Sequence, residues 1–155
     1  MAKSFADYMV QRQLPRADPC SGVLKCVFDI SKSDDEKRMA FGWASVAERV
    51  DGETVVDWQE DIIDINELEA AAYDFVQFYR EGSDMHERGG LNIAVLIESM
   101  VFTTDKMRLI GIAEGEIPCG WWVGFKVIDD VVWEKVKDGT YTMFSIEGEA
   151  VREEV

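Results

Sequence analysis

Ser145 lies in the stretch Tyr141–Gly148 (YTMFSIEG), where a hydroxyl sits among large apolar side chains and a glycine closes the run. The chain has one histidine, His86, in the polar stretch Ser83–Gly90 (SDMHERGG). A serine hydroxyl is a poor nucleophile unless a base takes its proton during attack, and histidine is the usual base because it titrates near neutrality. A Ser–His mechanism in this chain therefore has only one possible base. Read as a strand, the stretch points Tyr141, Met143, Ser145 and Glu147 one way and Thr142, Phe144 and Ile146 the other. Ser145 thus belongs to a face that is not purely core, and Gly148 permits the close backbone approach that an oxyanion site of N–H groups needs. Residue type and spacing alone leave the plainer alternative open: a strand serine and a solvated loop histidine.

The remaining reactive side chains offer less. Asp57, Glu60, Asp61 and Asp64 cluster as Mg²⁺ or Ca²⁺ ligands would, but they lack the alternation and the glycine of a calcium loop, and Asp64 is better explained as a helix cap. Cys20, Cys26 and Cys119 are odd in number and match no zinc spacing, and no apolar leader precedes them. We expect buried or idle thiols in a reduced, intracellular protein. Cys119, between Pro118 and Gly120, has nothing beside it to lower its pKa. Trp43, Trp58, Trp121, Trp122 and Trp133 suit core or interface anchors better than a ligand cage. There is no G-x-S-x-G elbow, so an α/β-hydrolase is unsupported. No metal or cofactor is expected.

Positioning Ser145 and His86 falls to a chain of 155 residues, enough for one domain with a real core. Its 16 basic and 31 acidic residues give a formal charge of -15, a surface that repels nucleic-acid phosphate and anionic membrane. Residues 1–21 read as an N-terminal arm broken by Pro15 and Pro19, and 22–155 as a single domain. Strands are expected over 22–30, 39–49, 53–56, 91–102, 121–128 and 141–151. Asp51-Gly52 is the turn of a hairpin, and 31–38 is a charged loop. Glu98 stands out inside the apolar run 91–102. A helix from about Ile65 to Arg80 is capped by Asp64 with Glu67, presents Leu68, Ala72, Phe75 and Tyr79 on one face, and has Gly82 as its left-handed terminator. Short helices are expected after Thr104, stopped by Gly111, and after Asp129, with Val132, Trp133 and Val136 inward and Gly139 as terminator. The sum is an α+β fold, mainly an antiparallel β-barrel of about six or seven strands with surrounding helices.

Three segments, taken in order, resemble a known family. The first is Val55–Ile63 (VVDWQEDII) with the helix starting Glu67–Ala72 (ELEAAA). The second is Met85-His86-Glu87 with Ile97-Glu98-Ser99. The third joins Gly120–Val127 (GWWVGFKV), Asp130–Gly139 (DVVWEKVKDG) and Phe144–Gly148 (FSIEG). Over roughly Met39–Val151 this set resembles the XkdF-type phage serine proteases, a branch of the prohead (procapsid maturation) proteases. The resemblance implies an assemblin-like fold, a β-barrel with outer helices, and a Ser–His pair in which Ser145 is the nucleophile and His86 the base. It implies an endopeptidase that cleaves phage scaffold and major capsid protein segments, and itself, inside the prohead in the bacterial host cytoplasm. The third member of the assemblin site is a second histidine, which this chain lacks. A carboxylate takes its place: Glu98 first, because a charge in an apolar strand needs a partner, and Glu147 second. Only Arg152 remains downstream to match the arginines of the assemblin oxyanion site. The competing reading is a non-catalytic capsid-assembly factor of the same fold that binds scaffold or capsid protein, with self-association possible in either case. A third is a metal-dependent hydrolase using the Asp57–Asp64 carboxylates.

Overall fold

A computed structural model describes residues 30–34, 37–57, 60–84 and 93–146. Their frame is a curled antiparallel sheet of strands β1 (Ile30–Asp34), β2 (Met39–Glu48), β3 (Glu81–Gly82), β4 (Ala94–Phe102) and β5 (Cys119–Val127), ordered β1-β2-β5-β4-β3. Helices α1 (Ile65–Phe78), α2 (Thr104–Leu109) and α3 (Asp130–Lys137) complete it. β5 is central because its alternation buries one whole face: Cys119, Trp121, Val123, Phe125 and Val127. β2 and β4 flank it in antiparallel register, with Ala40 and Leu96 both opposite Phe125.

A β-bulge decides which way β4 faces. Ala94 and Leu96 sit opposite Val127 and Phe125, but the register shifts between Leu96 and Glu98, so Glu98 pairs with Gly124 instead. An extra residue inverts the alternation downstream. Ser99 and Val101 then join the core side, where Ser99 Oγ accepts from Trp121 Nε1 at 2.9 Å and Val101 is buried. Glu98 is turned outward and is exposed.

Helix α1 forms where the sequence places it. Asp64 caps it, accepting from the Asn66 backbone N–H at 2.8 Å, and Leu68, Ala72 and Phe75 are its buried stripe. The Phe75 ring meets Trp121 edge-on at 5.5 Å between centroids and Phe125 at 6.4 Å, locking the helix to the centre of the sheet. Asp129 caps α3, and Val132, Trp133 and Val136 are buried beneath it. Thr103, one residue before the expected Thr104, caps α2. The backbone of α1 ends with Arg80 at φ 63, in the left-handed region, while Gly82 is spent in β3.

The antiparallel α+β frame agrees with the sequence reading, and the strand count is lower. Five strands occur among the described residues, one only two residues long, and no closed barrel of six or seven. Residues 31–34, read as loop, form the edge strand β1, because ladder bonds come from the backbone, which pairs with β2 whatever the side chains. Residues 53–56 make only isolated bridges, Thr54 with Glu48 and Val56 with Ile62. In the stretch from Tyr141 the described part, to Ile146, holds a single β-bridge at Met143. The arm 1–21 and all but Ile30 of the strand expected over 22–30 lie outside the described residues.

Two tight spots test the packing. A Cβ on Gly120 would stand 2.5 Å from the Ser45 carbonyl oxygen and 2.9 Å from the Val46 Cα, backbone atoms that move only if β2 moves. Gly120→Ala is therefore expected to destabilise by about 2–3 kcal/mol, the upper part of the range for overpacking, read as a lowered urea midpoint. A polar cluster ties α1 to α2: Tyr73 donates to Glu69 at 2.9 Å, and Lys106 Nζ donates to Tyr73 Oη at 2.6 Å and pairs with Glu69. The Lys106 hydrogen bond is the main reason the Glu69 carboxyl is held below its ordinary value of 4.5. A depressed carboxyl pKa adds stability above the unfolded pKa and loses it as pH falls through the folded one. Glu69→Gln should lower the melting temperature at pH 7 by about 2–4 °C, equivalent to roughly 1 kcal/mol or less. The gap to wild type should close as pH drops below 4.5, as thermal melts across that range would show.

Candidate functional site

The segment after α3 carries Ser145. Tyr141 and Phe144 anchor it, both buried, with the Phe144 ring 5.7 Å from that of Phe125. Its backbone is held at two points: the Tyr141 N–H donates to the Lys135 carbonyl at 2.8 Å, and the Thr142 carbonyl accepts from the Ile30 N–H. Ser145 follows Phe144 and is half-buried, accessible at the edge of the core.

His86 and Glu147 lie outside the described residues. The chain that leads to His86 is described as far as Asp84. There β3 pairs Gly82 with Ala94, and Ser83 is fully buried. The Asp84 carboxylate is gripped on both oxygens: Tyr141 Oη donates to Oδ1, and Lys135 Nζ donates to Oδ2 at 3.0 Å. Lys135 Nζ also donates to Tyr141 Oη at 2.7 Å, closing a three-membered ring of charge-assisted bonds. These bonds, first to Tyr141 and then to Asp84, hold the Lys135 ammonium well above its ordinary pKa. Burial, then the bond to Asp84, raises the Tyr141 phenol, so the ring stays a lysine cation and a neutral tyrosine at physiological pH.

This ring joins the two stretches the sequence singled out. Asp84 is two residues before His86, and Tyr141 is four before Ser145. Extended chain covers at most about 3.6 Å per residue, so Ser145 lies within about 14 Å of Tyr141, Cα to Cα. Sequence reading missed Asp84 and Lys135. The available signal was the tyrosine, since a buried phenol needs a hydrogen-bond partner, but nothing in the spacing named that partner.

The other candidates fall apart from this centre. Glu98 was expected to be enclosed by an apolar strand, and the bulge in β4 puts it on the exposed face instead. That face is opposite the one on which Phe144 meets Phe125, so the sheet stands between Glu98 and the residue preceding Ser145. Two of the four carboxylates of 57–64 serve the backbone: Asp57 Oδ1 accepts from the Asp61 N–H at 2.9 Å, and Asp64 caps α1. Among the described residues no three metal-ligating side chains group together. Cys119 is buried with a free thiol, 3.7 Å from Thr104 Oγ1. No helix among the described residues is long and apolar enough to cross a membrane.

Residues 27–154 match the model of a protein family described as "Putative phage serine protease XkdF". The chain is 31% identical over 134 residues to the phage-like element PBSX protein XkdF of Bacillus subtilis (strain 168). That alignment covers 86% of this chain and 45% of the relative, so the chain spans less than half the relative's length. No solved structure matches.

Proposed function

This chain belongs to the XkdF family of phage serine proteases, and from that premise we propose that it is a Ser–His endopeptidase of phage capsid maturation. Ser145 attacks the scissile carbonyl to form an acyl-enzyme. His86 takes the hydroxyl proton and then delivers it to the leaving amine, and water later resolves the ester by the same route. The observation that carries the reading is the Asp84–Tyr141 bond, which ties the chain entering the His86 stretch to the chain entering the Ser145 stretch. Of the two carboxylates the sequence offers to orient His86, Glu98 stands exposed on the opposite face, so the proposal does not rest on it. Glu147 lies outside the described residues.

The substrates we propose are scaffold and major capsid protein segments, together with the chain itself, cleaved inside the prohead. The curled antiparallel sheet with helices against it is the feature that supports an assemblin-like fold. The charge of -15 favours basic substrate segments and also suits a second reading, a non-catalytic assembly factor. Co-expression with a scaffold separates the two. Cleavage by wild type, lost in Ser145→Ala and insensitive to chelators, supports the protease. Shell assembly that proceeds equally with either protein, with no cleavage, supports the assembly factor.

A further inference from the structure

We propose that the cleft between α1 and the open edge of β4 is a docking site for an extended, basic peptide segment of a partner protein, which adds to the sheet as a further strand. The inference goes beyond the protease reading and stands without it, since no residue lining the cleft belongs to the Ser145–His86 mechanism.

The cleft measures about 500 Å³, a volume typical of ligand sites. β4 lines it with Ser99, Met100 and Val101, and α1 with Tyr73, Val76 and Gln77. Ser99 and Val101 face the core, and Met100 between them points the other way. A cleft lined from both faces of a strand runs along the strand's edge. That edge is open. β3 pairs only with the start of β4, Glu81 with Val95 and Gly82 with Ala94, and the Leu96 N–H donates to the Arg80 carbonyl at 2.9 Å. From Ile97 to Phe102, β5 is the only strand beside β4 among the described residues. Alternate residues of an outer strand turn their N–H and C=O groups away from the neighbour, and such a row needs a partner. Bulges, charges and prolines usually blunt an unpaired edge. Here the bulge and Glu98 come before the cleft, and the part that lines it, Ser99–Val101, carries neither proline nor charge.

The open edge sets the shape of the occupant. An extended backbone matches the row of N–H and C=O groups, and apolar side chains at every second position enter between Val76 and Val101. Charge sets its sign. The elements that wall the cleft, α1, β3 and β4, carry Glu67, Glu69, Asp74, Glu81 and Glu98 and no lysine or arginine. Lys106 of α2, also in the lining, is already paired with Glu69. Lysine or arginine at the intervening positions of the segment suits this field. A second copy of the same edge does not, because pairing the two sets like charges against each other.

The test follows the fluorescence anisotropy of a labelled peptide in which valine alternates with lysine. It is mixed with the full chain carrying Ser145→Ala, so that the probe stays intact. Saturable binding is expected, weakened roughly tenfold or more when glutamate replaces the lysines, or when Gln77→Trp fills the rim of the cleft. Gln77 is exposed, so this variant should melt within a few degrees of its parent. N-methylation of alternate peptide residues should abolish binding in one register and leave it within about twofold in the other, because only every second N–H of an added strand faces its neighbour. Hydrogen exchange at the amides of Ile97–Phe102 should slow when the peptide is added, a readout that needs no cleft variant. Absence of binding overturns the proposal. So does binding that ignores Gln77→Trp or the methylation register, or that leaves those amides unprotected. Equal binding of the glutamate peptide also overturns it. A dimer that Gln77→Trp dissolves, with the lysine peptide unbound, assigns the edge to a second copy instead.

Discussion

Replacing Ser145 with alanine is expected to abolish proteolysis while leaving the fold intact. In the proposed mechanism the hydroxyl is the group that becomes the acyl ester. In serine proteases, removal of the nucleophile lowers kcat on the order of 10⁶-fold, and the remainder comes from binding and oxyanion stabilisation. Alanine at a half-buried serine removes one oxygen and no packing, so the melting temperature should move by no more than a few degrees. The measurement is cleavage of scaffold and of the chain itself, compared at matched protein concentration with thermal melts alongside. Cleavage surviving within tenfold of wild type would remove Ser145 from the mechanism.

The second large effect falls on stability. Phe75 is fully buried, stacks on Tyr79 at the end of its own helix, and touches Trp121 and Phe125, the aromatic contacts that bind α1 to β5. Phe75→Ala is expected to cost about 3–5 kcal/mol, from lost transfer free energy and the cavity left behind. Domain stabilities are roughly 5–15 kcal/mol, so this is a large share of the total. The effect should pass along the chain, because α1 runs directly into β3 and Asp84, whose carboxylate accepts from Tyr141. Urea unfolding should show the midpoint falling with the slope preserved, and a loss below about 1 kcal/mol would mean that α1 is not packed on Trp121 and Phe125 as described.

The parts of the fold governed by local chemistry were legible in the sequence. The Asp64 cap, the Leu68–Ala72–Phe75 stripe, the Val132–Trp133–Val136 face and the apolar run of β5 follow from spacing alone, and the structure has all four. What was lost depended on partners distant in sequence. Residues 31–34 look like loop until Met39–Gly42 supplies the backbone to pair with. Glu98 looks enclosed until a one-residue bulge, opposite β5, reverses the strand's faces. The Asp84–Lys135–Tyr141 ring joins three elements by side chains whose spacing carries no period. Of the candidate site, Ser145 and His86 stood out by type and by family resemblance, and the residues that tether their neighbourhoods stood out only in three dimensions.

The central claim is that Ser145 is a nucleophile activated by His86. Its most direct measurement is a fluorophosphonate reaction followed by peptide mass mapping on wild type and His86→Ala. A single phosphonyl adduct is expected on the peptide containing Ser145, formed in wild type and slowed at least a hundredfold in His86→Ala. An adduct on another residue, or labelling of Ser145 at the same rate without His86, would contradict it.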